Sequence, residues 1–130
     1  MTGSILSTPE LEWVILVPDH PNSLEKRLAA RQDHLAGLAK SVDAGTWVMG
    51  GPTLEKPPVG DEPRAFNGSF LVAQAATKEE ALEELKKDVY AQRGVWDLDK
   101  VQIYPWSRRL IPGLGTAVYH RQQEDVDLEV

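Results

Sequence analysis

A helical run over residues 23–42 constrains this chain more than any other feature, because its apolar stripe carries charge. Leu24, Leu28, Leu35, Leu38 and Val42 recur at spacings built from three and four, which at about 100° per residue places them on one helix face. Such a helix needs another element to cover that face. Arg31 falls in the middle of the stripe, and Arg27 and His34, seven residues apart and so nearly superposed, run along its edge beside Leu38. Burying an unpaired charge is strongly unfavourable. These three side chains therefore meet acidic partners or line a polar cavity wet enough to keep them ionised.

At 130 residues the chain has room for one core and not for two. With 42% hydrophobic and 26% charged residues and four tryptophans, its composition is that of a soluble globular protein. Cysteine is absent, which excludes disulfides, thiolate ligands and cysteine nucleophiles. Nothing near Met1 has the form of a secretory signal, and no apolar run approaches the roughly 18 residues of a membrane span, so a cytoplasmic protein without membrane contact is expected. A net charge of −6 with no basic stripe argues against nucleic acid as a partner. Gly113-Leu114-Gly115 lacks the third glycine and preceding strand of a dinucleotide fingerprint, and His20 and His120 have no metal-ligand spacing. No cofactor and no metal are expected.

Along the chain the pattern reads β-α-β-β-α-β. Leu11 to Val17 is a compact β-branched run ended by Pro18, as in a largely buried strand. Asn22 or Ser23 caps the helix, with Glu25 three residues after Asn22 in capping-box fashion, and Gly45 supplies the left-handed residue that ends it. A second strand runs from Thr46 to Met49, where Gly50-Gly51-Pro52 is expected to break it. Residues 53–67 are rich in proline and acid and read as a long exposed connection of the kind that often covers a site. Gly68 to Ala75 is the third strand, with Phe70 and Val72 on one face and Ser69 and Leu71 on the other. Thr77 and Glu80 form a capping box, and Ala81, Leu82 and Leu85 give a second helix its buried face up to Asp88. Val101 to Tyr104 is the last strand, closed by Pro105. The organisation is a lead-in over residues 1–10, a folded domain over 11–106 and an extension over 107–130, expected either to wrap a partner subunit through Leu110, Ile111 and Leu114 or to remain mobile at its end.

The runs NSLEKRLAARQDHLAGL, GGP, NGSFLVAQAATKEEALEEL, DVYAQRGVW and VQIYPW together resemble the YCII-related (YciI-like) domain family, from Leu11 to Trp106. The resemblance implies an α+β, ferredoxin-like β-α-β-β-α-β fold that pairs as a dimeric α+β barrel, with a pocket between sheet and helices in each subunit. It also implies kinship in fold with muconolactone isomerases and small cofactor-independent monooxygenases. The family's R-x-x-H-L histidine corresponds to His34, and its D-P-[FY] aspartate to Asp88, the two forming an active-site pair. Val89 stands where that motif has proline, so the turn has lost the fixed φ of a proline ring. A sheet with both helices on one face would leave its other apolar face bare, so a homodimer is expected on physical grounds as well.

Histidine is the side chain best suited to moving protons near neutral pH, and a carboxylate partner would fix its tautomer. General acid–base work contributes about 10²–10⁴-fold, enough for an isomerisation, elimination or cyclisation of a substrate disposed to react. The expected activity is that of a cofactor-free lyase, isomerase or cyclase, with His34 and Asp88 catalytic. Arg27 and Arg31 would grip a carboxylate or enolate oxygen of a small organic substrate, and Ser69, Tyr90 and Trp96 would wall the pocket. Bland alternatives stand beside these. The arginines could bridge to acidic side chains, Trp13, Trp47 and Trp106 could serve the core or a subunit interface, and His34 with Asp88 could be a structural contact in a non-catalytic binding or accessory protein.

Overall fold

The computed structural model describes residues 11–108. Four strands and two long helices alternate in the expected order: β1 Leu11–Pro18, α1 Leu24–Asp43, β2 Trp47–Leu54, β3 Phe66–Ala75, α2 Lys78–Lys86 and β4 Gln102–Trp106. A single helical turn, α3 Val89–Gln92, and a 3₁₀ turn, Leu98–Lys100, lie between α2 and β4. The sheet order is β2-β3-β1-β4 with every neighbouring pair antiparallel, which is the ferredoxin-like arrangement. Trp13, Ile15 and Val17 of β1 are buried and register with Ala73, Leu71 and Ser69 of β3, so alternation puts these six on one sheet face. That face packs against Ala30, Ala81, Leu85, Tyr90, Val95 and Trp96 to make the core. On the opposite face Leu16, Tyr104 and Trp106 remain exposed. No helix among the described residues is long and apolar enough to cross a membrane. Residues 1–10 and 109–130, with Leu110, Ile111, Leu114 and His120, lie outside the described residues.

Several local expectations need correction. Strand β2 does not stop at Met49 but continues through Gly50-Gly51-Pro52, and β4 likewise includes Pro105. Both are the edge strands of the sheet. An edge strand turns part of its N–H groups to solvent, so proline there need not remove a ladder bond. Helix α2 ends at Lys86 rather than reaching Asp88, which instead starts α3 as its N-cap. Ser23 occupies the N-cap of α1 without a side-chain cap bond, while Asn22 takes φ 59°, so the Asn22–Glu25 box does not form. Two expectations hold: Gly45 ends α1 at φ 84°, and the Thr77 hydroxyl accepts from the Glu80 N–H at 3.1 Å.

Candidate active site

Helix α1 presents a different face to the sheet from the one its leucines mark. Its buried residues are Arg27, Ala30 and His34, with Leu38 partly buried, whereas Leu24, Leu28, Leu35 and Val42 are between 44% and 53% exposed. The packed stripe is rotated by about 90° around the helix from the leucine stripe. Ala30, the small residue of the packed set, lets the helix approach closely while the long polar side chains on either side reach past it. Arg27 and His34 are tolerated there because each finds a carboxylate outside the helix, Asp19 for Arg27 and Asp88 for His34.

His34 meets Asp88. Its Nδ1 lies 2.7 Å from Asp88 Oδ1, which also accepts the Tyr90 N–H at 2.8 Å. The carboxylate is thus held as the N-cap of α3, and Val89 fills the first helical position, where proline is favoured for its fixed φ. The cap bond supplies the anchoring that a proline ring would otherwise have helped to provide. With a hydrogen-bonded Nδ1–H turned to the carboxylate, the neutral imidazole keeps its lone pair on Nε2, which has no hydrogen-bond partner among the described residues. The Tyr90 ring stacks on His34 with centroids 3.8 Å apart and planes 9° off parallel, and Trp96 stands edge-on at 6.0 Å. These two rings fix the orientation of the imidazole.

The two arginines divide their roles. Arg27 donates from Nε and Nη2 to the two oxygens of Asp19 at 2.8 and 3.1 Å, and from Nη2 also to the Gly68 carbonyl and the Ser69 hydroxyl, both at 2.8 Å. Its guanidinium carbon lies 4.8 Å from the Tyr90 ring centroid. Arg31, one turn further on, is exposed and has no ion pair among the described residues. Ser69 receives a second donor, the Trp96 indole N–H at 3.1 Å. Trp96 is 2% exposed and stands behind the site.

These groups converge on a cavity of about 300 Å³ between α1 and the β2–β3 half of the sheet. Arg27, Arg31, His34, Ser69 and Tyr90 line it, and Trp96 does not. The remaining wall is mainly apolar: Leu28, Leu35, Leu38 and Val42 from α1, Trp47 and Met49 from β2, and Phe66 and Leu71 from β3, with Gly50, Gly51 and Pro52 between. The connection between β2 and β3 is shorter than residues 53–67, because Thr53 and Leu54 belong to β2 and Phe66 and Asn67 to β3, and its residues 55–65 do not reach the cavity. A Cβ on Gly50 would come within 2.9 Å of the Phe70 carbonyl, so only glycine fits there beside β3. Burial pushes the Tyr90 phenol above its ordinary pKa of 10.0, against the opposing pull of Arg27 and Arg31, so it is protonated near neutrality. No group of three or more acidic or histidine side chains among the described residues could hold a metal.

The model of the YCII-related domain matches residues 11–107. The chain belongs to the YCII-related domain family. Within it, the chain is 38% identical over 97 residues to aspercryptin biosynthesis cluster protein B of Emericella nidulans, covering 73% of this chain and 62% of that protein. It is 31% identical over 104 residues to fusaric acid biosynthesis protein 2 of Gibberella fujikuroi, covering 80% of this chain and all of that one. A solved structure, the 5-chloro-2-hydroxyhydroquinone dehydrochlorinase of Burkholderia phenoliruptrix in complex with 2,5-dihydroxybenzoquinone, matches with a TM-score of 0.65 and 25% identity, over 76% of this chain and 96% of that one. Relatives of this YCII-type chain thus include biosynthetic-cluster proteins and a small-molecule enzyme.

Sequence reasoning missed Asp19, Met49 and Phe66. Asp19 follows a buried strand and precedes Arg27 by eight residues, a spacing that signals nothing by itself. Met49 and Phe66 flank the glycine-proline run and the long connection, and only the pairing of β2 with β3 through that run brings them to the cavity.

Proposed function

We propose that this protein is a cofactor-independent small-molecule enzyme of lyase, isomerase or cyclase type in which His34 is the general base and Asp88 orients it. The observation that carries the proposal is the 2.7 Å His34–Asp88 contact at the wall of an open cavity that Arg31 also lines. Asp88 holds Nδ1, so Nε2 is left to take a proton from a bound substrate and return it elsewhere. Arg31 supplies a guanidinium to an anionic or enolic oxygen. Arg27 acts one step back, clamping Ser69 and the start of β3 against Asp19. A histidine sealed by side chains would favour a binding module, whereas a histidine on a cavity of this size favours chemistry. The relative named as a dehydrochlorinase is consistent with an elimination. The functional unit is a homodimer closed over the free sheet face.

The test starts from small carbonyl and phenolic metabolites screened for thermal stabilisation, with hits assayed for turnover. Substituting His34→Asn or Asp88→Asn should lower turnover by at least ~10²-fold with little change in melting temperature. Asparagine at position 88 still caps α3, so the fold is kept while the charged acceptor is lost. The double variant should be little worse than either single one. Full turnover in His34→Asn would remove the histidine from the mechanism.

A further inference from the structure

We infer that the Tyr90 hydroxyl is a further catalytic group, which with the Arg31 guanidinium receives the oxygen of an enolisable carbonyl compound and stabilises the enolate formed at His34. The inference rests on the acid–base reading above and adds to it the class of substrate. Tyr90 is 1% exposed and borders the cavity, yet its hydroxyl has no hydrogen-bond partner among the described residues. Buried hydroxyls are nearly always paired, so an orphan hydroxyl on a residue that lines a cavity marks a place for a ligand atom or water. The ring is held parallel to His34 at 3.8 Å and beneath Arg27 at 4.8 Å, so the hydroxyl cannot swing away without breaking both contacts.

The chemistry of the lining selects the ligand. Among the described residues no carboxylate lines the cavity. Arg31 offers only donors, and a phenol kept neutral by burial offers its O–H. A group bound between them must be an acceptor that gains negative charge, and the leucines and Trp47 ask that the rest of the molecule be apolar. An α-proton beside a carbonyl meets both demands. Nε2 of His34 takes that proton, the C–H electron pair becomes the C=C bond, and the carbonyl π pair moves onto oxygen, where the Tyr90 O–H and Arg31 N–H groups meet it. In a β,γ-unsaturated substrate the oxygen pair then re-forms C=O, the C=C pairs shift by one position and the γ-carbon takes the proton back from His34, which completes an isomerisation. In a substrate with a leaving group on the β-carbon the same return of the oxygen pair drives the C=C pair into an α,β-double bond and expels the leaving group with its bonding pair, which completes an elimination. Neither route needs a further reactant.

Tyr90→Phe tests this, because it removes one oxygen and keeps the stack on His34. The probe is 2,5-dihydroxybenzoquinone, an enolised dicarbonyl ring, titrated calorimetrically into the wild type, Tyr90→Phe and Arg31→Met. Each variant should bind at least about tenfold more weakly than the wild type, the loss of one or more donors to an anion. Without ligand, Tyr90→Phe should melt at or above the wild-type temperature, since an unpaired hydroxyl contributes nothing to the fold. Unchanged affinity in Tyr90→Phe, or a lower melting temperature without ligand, would overturn the role of Tyr90, while the His34–Asp88 reading would stand on its own turnover test. A wild type that does not bind the probe would overturn the substrate class.

Discussion

Replacing Arg27 by methionine should unfold this protein far more readily than the same change at Arg31, and the structure sets the size of the difference. Arg27 is 5% exposed and makes four hydrogen bonds, two to Asp19 and one each to the Gly68 carbonyl and the Ser69 hydroxyl. Methionine fills much of the stem's volume but donates nothing, so the Asp19 carboxylate, 8% exposed, loses its counter-charge. Removing one member of a buried ion pair costs about 3–5 kcal/mol, because the other is left charged and desolvated. For a folded unit of this size each kcal/mol moves the melting point by roughly 4–8 °C, so Arg27→Met should lower it by about 20 °C. Arg31 is exposed and without an ion pair among the described residues, so Arg31→Met should cost no more than about 0.5 kcal/mol, or roughly 3 °C. Combining Arg27→Met with Asp19→Asn should recover part of the loss, since no orphan charge remains. Thermal unfolding followed by circular dichroism reads all four proteins. If Arg27→Met melts within about 5 °C of the wild type, or if both arginines cost the same, the division into an anchoring and a substrate-facing arginine is wrong.

Alkaline stability provides a separate check. The Tyr90 phenol is raised above 10.0, mainly because burial disfavours its phenolate, so the folded chain holds that proton to higher pH than the unfolded one; below pH 10 both states are protonated and no stability is lost, and stability falls as pH rises from there through the folded value. Tyr90→Phe should therefore flatten the fall in stability above pH 10, and superimposable alkaline limbs for the two proteins would contradict this. Sedimentation should give a species of twice the 14.4 kDa chain mass, and Leu16→Glu, on the free sheet face, should yield the monomer. A wild-type monomer at micromolar concentration would defeat the dimer. Asp88→Ala, unlike Asp88→Asn, removes the α3 cap as well as the acceptor, so it should also cost about 1 kcal/mol of stability. Equal melting temperatures for the two substitutions would show that the cap bond is not what holds the carboxylate.

Element order and type were legible because they depend on local pattern. The β-branched run of β1, the period of α1, Gly45 as its stop and the Thr77 cap of α2 each follow from a few adjacent residues. Local rules failed where the position of a strand in the sheet overrides them. Gly50-Gly51-Pro52 and Pro105 read as breaks, and would be breaks in a central strand, but β2 and β4 are edges and tolerate them. The pair His34 and Asp88 was legible through the family motif, and the substitution of Val89 for its proline did not separate them.

By itself the sequence determined that α1 is amphipathic, that it carries two guanidinium groups and an imidazole near its apolar face, and that these must be paired or wet. Only the tertiary structure decided which residues of that helix turn inward. The leucine stripe, which periodicity alone would bury, faces the cavity and solvent, and the edge bearing Arg27, Ala30 and His34 packs on the sheet. The physical reason is that partners for buried charge are not local. Arg27 is satisfied by Asp19, eight residues back and outside the helix, and by groups 41 and 42 residues away, and His34 by one 54 residues away; no spacing within the helix encodes where β1, β3 and α3 will place them. The same dependence on tertiary contacts explains the two arginines: they are four residues apart and chemically identical, and one becomes a structural clamp because Asp19 and the start of β3 lie beneath it, while the other stays exposed on the cavity wall.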